Sequence, residues 1–307
     1  MILTVTPNPS LDRTYEVPAL ERGEVIRATG ERMDPGGKGV NVSRAVAAAG
    51  RRTVAVLPLG GAPGALVADL LDAQGIEVAP VPVAGATRSN IALAESDGVL
   101  TKINAPGPEL SVEEQELLLE TVRAQSRDAS WIACCGSLPR GLAPSWYAEV
   151  VARAHAGGAR IALDTSGRAL QEALRERPDV VKPNAEELAE LTGSHEPSRA
   201  TRDARRRGAQ AVVASLGPDG LLAHTPEGHW RATPPRRYRG NPTGAGDAVV
   251  AGLLSGLVEH LPWPDRLTRA TALSAATVLA PAAGEFDQRA YDELRTQVTV
   301  TGDVTAA

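Results

Sequence analysis

Short apolar runs alternate along this chain with segments in which apolar positions recur every three or four residues. The runs fall at Ile2 to Val5, Thr53 to Leu57, Trp131 to Cys134, Arg160 to Leu163, Val180 to Val181 and Ala211 to Ala214. Their length and lack of polar interruption predict strands buried on both faces. The helical spacing falls mostly between them, over Val40 to Ala49, Ala65 to Ala73, Val112 to Gln125, Ser145 to Ala156, Ala185 to Leu191 and Arg199 to Arg207. Strand and helix in alternation imply a parallel sheet with right-handed crossovers. In such a sheet ligands bind beyond the carboxyl ends of the strands, so chemistry is expected in the loops that follow them.

Two stretches depart from the rhythm. Thr14 to Met33 is one; the other is Thr87 to Asn104, where Asn90–Ala94 and Val99–Ile103 flank the turn Ser96-Asp97-Gly98 and predict a β-hairpin. Both leave the α/β core and return to it. Insertions at about 13–33 and 87–105 are therefore expected to form a small sheet lying over the crevice as a lid. From Gly244 onward the pattern is mostly helical, through Val249 to Glu259, Asp265 to Ala280 and Gln288 to Val298. With no solenoid-length repeat and no low-complexity linker, residues 1–307 read as one α/β domain carrying that lid.

Composition narrows the function. Of the residues 43% are hydrophobic but only 3% aromatic, so the core must be built of Ala, Val and Leu. Thirty-two basic against 37 acidic residues, with no long cationic block, give little for nucleic acid to bind. No window approaches 18 uninterrupted apolar residues and the N-terminus has no signal-peptide pattern, so a cytoplasmic protein without a membrane span is expected. Cys134 and Cys135, adjacent at a strand end, suit buried reduced thiols rather than a disulfide or zinc site.

Four segments carry candidate chemistry. In Asn241-Pro242-Thr243-Gly244-Ala245-Gly246-Asp247-Ala248, small residues precede a long helical pattern. Amides of Gly244, Ala245 and Gly246 at a helix start can surround an anion, and Asp247 beside them can accept a proton from an attacking hydroxyl. The same pattern fits a plain glycine turn with an Asp in the first helical turn. Asp34-Pro35-Gly36-Gly37-Lys38-Gly39-Val40-Asn41 also precedes a helix, and combines close backbone approach with the cation Lys38 and the amide Asn41. It is not a Walker A loop, because no Ser or Thr follows the lysine. In Lys182-Pro183-Asn184-Ala185-Glu186-Glu187, Asn184 and Glu187 either form a capping box or stand near a hydrated Mg²⁺ that accompanies a nucleotide. The turn Ser215-Leu216-Gly217-Pro218-Asp219-Gly220 either lies along that nucleotide or simply reverses the chain. A dinucleotide-dependent oxidoreductase is disfavoured, since no G-x-G-x-x-G follows the first strand.

Together and in this order, these motifs resemble the ribokinase/PfkB carbohydrate-kinase superfamily. Thr6-Pro7-Asn8-Pro9-Ser10-Leu11-Asp12 is similar to its opening sugar-binding segment, Gly36 to Asn41 to its first signature, Gly136-Ser137-Leu138-Pro139 to a mid-chain substrate loop, and Asn241 to Asp247 to its second signature. The opening segment and Gly136 to Pro139, with Lys38, look most like the phosphosugar branch that contains 1-phosphofructokinases and tagatose-6-phosphate kinases. The resemblance implies a ribokinase-like three-layer α/β/α fold whose central, mostly parallel sheet carries a small β-sheet lid. It also implies ATP-dependent phosphorylation of a hexose phosphate, with fructose 1-phosphate to fructose 1,6-bisphosphate as the expected reaction. Tagatose 6-phosphate and fructose 6-phosphate are the alternative acceptors, and a non-catalytic sugar-phosphate sensor is the alternative class.

Carried over by position, the resemblance makes Asp247 the base and Gly244, Ala245 and Gly246 the anion hole. Asp12, Gly36, Gly37, Asn41, Asn90 and Ser137 would hold the sugar, with Lys38 and Arg88 on its existing phosphate. Lys182, Asn184, Ser215, Gly217, Gly220 and Thr243 would serve ATP, with Asn184 and Glu187 reaching Mg²⁺ through water. The family's lid also implies a homodimer interface. Two departures from the pattern stand out. Pro7 replaces a common Leu in the opening segment. Branch members that use fructose 6-phosphate commonly have Gly where this chain has Lys38, and draw a lysine from the lid segment matching Glu21 to Arg27, which here holds no Lys, with Arg27 as a partial substitute. The second departure weakens the 6-phosphofructokinase reading.

Overall fold

The computed structural model describes residues 1–280 and 283–304, so positions 281, 282 and 305–307 of the expected 1–307 domain lie outside the described residues. In chain order the strands are β1 (Ile2–Val5), β2 (Ser10–Val17), β3 (Gly30–Gly36), β4 (Thr53–Leu59), β5 (Glu77–Pro82), β6 (Arg88–Glu95), β7 (Leu100–Ile103), β8 (Trp131–Cys135), β9 (Arg160–Asp164), β10 (Val180–Val181), β11 (Ala211–Ser215), β12 (Leu221–Thr225), β13 (Gly228–Thr233) and β14 (Thr299–Val304). The helices are α1 (Lys38–Ala48), α2 (Gly61–Asp72), α3 (Val112–Ser126), α4 (Trp146–Ala156), α5 (Gly167–Ala173), α6 (Ala185–Thr192), α7 (Pro197–Arg206), α8 (Ala245–Val258), α9 (Trp263–Val278) and α10 (Gln288–Arg295). Among the described residues, ten strands form one sheet in the order β14-β13-β12-β11-β10-β9-β8-β1-β4-β5. Pairing is parallel from β11 through β5, and antiparallel among β11, β12, β13 and β14.

The period-two alternation of the strands divides the core between two faces. Leu3, Val5, Ile132, Cys134, Ile161, Leu163, Val212 and Ala214 pack with buried residues of α3 to α7. Ile2, Trp131, Ala133, Cys135, Ala162, Ala211 and Val213 face the other way, onto α1, α8, α9 and α10. The fold is thus three-layered, and the two cysteines are unpaired and buried on opposite faces of one strand. The low aromatic content suits the α8–α9 contact, where a Cβ on Gly252 would stand 2.6 Å from the Cα of Ala270.

The second sheet has the order β3-β2-β6-β7. It contains the expected hairpin, β6 against β7, and β2 runs between β3 and β6 with Asp12 opposite both Asp34 and Asn90. The sheet is larger than the insertions suggested, because β2 begins at Ser10 and β3 extends to Gly36 inside the first glycine motif. The alternation of apolar runs did not reveal β5, β12, β13 or β14. Strand β5 contains Pro80 and Pro82, which a sheet tolerates at its edge, and β5 is an edge strand. Among the described residues, no helix is long and apolar enough to cross a membrane.

Candidate active site

The loops that follow β1, β8, β9, β10 and β11 converge at one end of the large sheet, where parallel topology directs them. Helix α8 opens onto the same place. Its N-cap, Gly244, has φ 83°, and a Cβ there would stand 2.9 Å from the Cα of Ala283, so glycine is required on both counts. Asp247 lies in the first turn of α8, followed by a run of buried residues to Leu257. The residue is 7% exposed, and its Oδ2 accepts a hydrogen bond from Asn41 Nδ2 at 2.8 Å. Burial, and then the neighbouring charge of Asp164, push the Asp247 carboxyl up to about 7; the Asn41 bond, Lys38 and Lys182 oppose that rise.

Two cavities meet at Asp247. One, of about 770 Å³, lies under the small sheet and is lined by Asp12, Asp34, Lys38, Asn41, Asn90, Lys102 and Asp247 among others. The other, of about 930 Å³, runs over the ends of β9, β10 and β11 past Asp164, Lys182, Asn184, Ser215, Gly217 and Gly220 to the start of α8. Lys38, Lys102, Gly240, Pro242, Thr243 and Asp247 line both.

The charge arrangement at the junction centres on Asp164, which the sequence reading did not single out. Asp164 Oδ1 accepts from Lys38 Nζ at 2.9 Å, while Lys182 Nζ lies 3.4 Å from Oδ2 and Glu187 Oε1 lies 3.8 Å from Lys38 Nζ. Asp164 is 1% exposed, and this burial of a carboxylate is sustained by the two ammonium groups. Burial opposes the charge of Lys38, but Asp164, Glu187 and Asp247 together outweigh it and hold the ammonium group's pKa above the usual lysine range. Lys182 Nζ also stands 3.5 Å from where a Cβ on Gly246 would be, so a lysine and the start of α8 address the same volume. A helix N-terminus with an adjacent ammonium favours an anion through its exposed amides and its dipole. Ala245 N donates to Pro242 O at 3.2 Å, in the turn that starts the helix.

The structure brings most of the expected site residues together. Asp12, Lys38, Asn41 and Asn90 line the cavity under the small sheet. Lys182, Asn184, Ser215, Gly217, Gly220, Thr243, Gly244, Ala245 and Gly246 line the other. Asn184 bridges to Ser215 as a parallel pair, which joins two motifs that are distant in sequence.

Four residues sit differently from the expectation, and a fifth, Glu187, has one of its two carboxylate oxygens committed within its own helix. Arg88 lines neither cavity: its guanidinium donates to the carbonyls of Asn8 at 2.8 Å, Ala105 at 3.0 Å and Pro9 at 3.4 Å. Three carbonyl partners hold it as a strut beneath the substrate loops. Ser137 is exposed and accepts from Asn8 Nδ2 at 3.4 Å, also outside both cavities. Gly36 and Gly37 do not line them either. A Cβ on Gly36 would stand 2.3 Å from Asp12 Oδ2, so the close approach this glycine permits is by the protein's own carboxylate. Glu187 completes the capping box of α6, with Oε2 accepting from Asn184 N at 2.9 Å and Asn184 Oδ1 accepting from Glu187 N at 2.8 Å.

The residues missed in the sequence had weak signals. Asp164 closes an apolar run at the carboxyl end of a buried strand, a position that topology marks but composition does not. Lys102 sits in the second strand of the hairpin with nothing local to distinguish it from a solvated charge.

Fold and site together define an α/β phosphotransferase, with an anion-binding helix start, a buried carboxylate and one cavity on each side of it. A family model, the pfkB family of carbohydrate kinases, matches residues 6–289, and the chain belongs to that family. It is 38% identical over 282 residues to the 1-phosphofructokinase of Rhodobacter capsulatus, with 89% of each chain covered. Among solved structures, phosphofructokinase-2 from Escherichia coli in complex with fructose-6-phosphate superposes with a TM-score of 0.89 at 29% identity, covering 96% of this chain and 98% of that one. Ribokinase from Arabidopsis thaliana, complexed with ribose and ATP, shares the fold with a TM-score of 0.74 at 24% identity, covering 96% of this chain and 98% of that chain.

Proposed function

We propose that the protein transfers the γ-phosphoryl group of ATP to fructose 1-phosphate, giving fructose 1,6-bisphosphate. The observation that carries this reading is a buried Asp247, with a carboxyl near pH 7, at the junction of a cavity under the small sheet and a cavity leading to the start of α8. A base works best when its pKa lies near the operating pH, and phosphoryl transfer needs little more than positioning and charge stabilisation. Similarity to a 1-phosphofructokinase supports this acceptor over the 6-phosphate isomers.

In this mechanism the sugar phosphate occupies the cavity under the small sheet, with Asp12, Asn41 and Asn90 on its hydroxyls. Asn90 Nδ2 donates to Asp12 Oδ1 at 2.8 Å, which fixes the carboxylate for that task. ATP occupies the other cavity along Lys182, Asn184, Ser215, Gly217, Gly220 and Thr243. Asp247 takes the proton of the attacking hydroxyl, and the first-turn amides of α8 with Lys182 receive the charge of the transferred group. The small sheet acts as a lid that excludes water, and its outer face would be the homodimer surface.

Mg²⁺ fits one edge of this site. Glu187 Oε1 and Asn184 Oδ1 are the oxygen donors there, and a cation that prefers few protein ligands and many waters suits so sparse a set. Among the described residues no cluster of three or more His, Cys, Asp or Glu could hold a metal, so the phosphates of ATP would hold most of it. When bound it would neutralise phosphate charge. The reading carries a cytoplasmic location with it, because ATP and hexose phosphates are cytoplasmic metabolites.

A panel of fructose 1-phosphate, fructose 6-phosphate, tagatose 6-phosphate and fructose under identical conditions tests this by relative kcat/KM. Highest kcat/KM with fructose 1-phosphate is expected. Preference for another member reassigns the acceptor, and no ATP consumption with any member supports the sensor instead.

A further inference from the structure

Resting on the kinase reading above, we infer that Lys102 is a catalytic residue, a second cation beside Lys182 that neutralises the phosphoryl group while it passes between the two cavities. Its position comes first. A group transferred from one cavity to the other must cross their shared boundary, and Lys38 and Lys102 are the cationic side chains that line both.

The two lysines are differently placed to act there. Lys38 is held by Asp164 at 2.9 Å and by Glu187 at 3.8 Å, so its charge is already matched within the protein. Lys102 Nζ instead donates to the neutral hydroxyl Oγ1 of Thr243, in the loop that leads into α8. Among the described residues, no carboxylate lies within ion-pair distance of Lys102. The fields of Asp12 and Asp247 reach it, but burial outweighs them and lowers its pKa. A half-buried ammonium without a direct counter-ion gains most when an anion arrives.

The backbone explains how this cation comes to the boundary. Lys102 is on β7 opposite Ala92, and Ala92 on β6 is opposite Thr14 on β2, so the cross-strand row directs Lys102 to the same face as Asp12 and Asn90. Lys102 therefore travels with the small sheet, while Asp247 and the start of α8 belong to the large layer. Its contact with Thr243 joins the two layers at the reacting point. Charge stabilisation would then be complete only when the small sheet is seated, which would suppress transfer to water.

The test compares wild type, Lys102→Met and Lys102→Arg by steady-state kinetics with ATP and the preferred hexose phosphate, together with ADP binding and thermal melts. For Lys102→Met the expected result is a kcat lower by roughly 10²–10³-fold, with both KM values and the ADP Kd within about threefold and an unchanged melt. Lys102→Arg should recover part of kcat. Retention of kcat within about threefold in Lys102→Met overturns the inference, as does an effect confined to the KM of the sugar phosphate. If the wild type turns over no hexose phosphate, the functional reading fails separately. Lys102 is then judged on slow transfer to water, where an ATPase rate equal in wild type and Lys102→Met overturns the inference and a fall of the same order upholds it.

Discussion

Replacing Asp247 by Asn should remove most turnover and, at neutral and alkaline pH, stabilise the protein. Asp247 is buried and its carboxyl is raised from 3.8 to about 7. Between those values the folded chain keeps a proton that the unfolded chain has released, so this residue makes stability fall as pH rises through the window. At 1.36 kcal/mol per pKa unit, the full penalty above pH 7 is about 4 kcal/mol. Asn carries no charge at any pH and can still accept from Asn41 Nδ2 through its own carbonyl. The variant should therefore melt close to the parent near pH 4 and up to roughly 8 °C higher at pH 8.5, taking about 2 °C per kcal/mol for a chain of this size. Differential scanning calorimetry without ligand at the two pH values reads this directly. Turnover in the same preparation should drop by roughly 10²–10⁴-fold, the range expected for loss of a general base. A melting difference equal at both pH values, or a variant less stable than the parent at pH 8.5, would refute the argument from burial, and near-normal turnover would remove Asp247 from the role of base.

The same electrostatics predict opposite shifts from two neighbours, both read from pH profiles of kcat/KM, which in the parent should rise with pH through about 7 as Asp247 ionises. Asn41→Ala removes a hydrogen bond that lowers the Asp247 pKa, so the inflection should move to higher pH. Asp164→Asn removes the charge that raises it, so the inflection should move to lower pH. Gly252→Val is a packing test: its Cβ would stand 2.6 Å from the Ala270 Cα, and thermal melts should show a loss of about 1–3 kcal/mol, the usual cost of overpacking, or more because backbone must move. Arg88→Ala should lower the melting temperature through loss of its carbonyl contacts; a large rise in sugar-phosphate KM with an unchanged melt would restore it as a phosphate ligand.

The amino-acid order by itself determined the layered α/β plan, because buried parallel strands and amphipathic helices write their periods locally. It also marked Gly244 to Asp247, Lys38 and Asn41, since a glycine-rich loop before a helix is legible within eight residues or so. Edge strands such as β5 escaped because their prolines and half-exposed faces carry no buried-strand pattern. Pairings across the chain had no local signal. That Asp164 would lie between Lys38 and Lys182, that Arg88 would be engaged by Asn8, Pro9 and Ala105, and that Lys102 would meet Thr243 are facts of how distant loops converge at the sheet's carboxyl end. Burial likewise belongs to the assembled layers. The low dielectric that pushes Asp247 toward neutrality exists only once α1, α8 and β9 close around it.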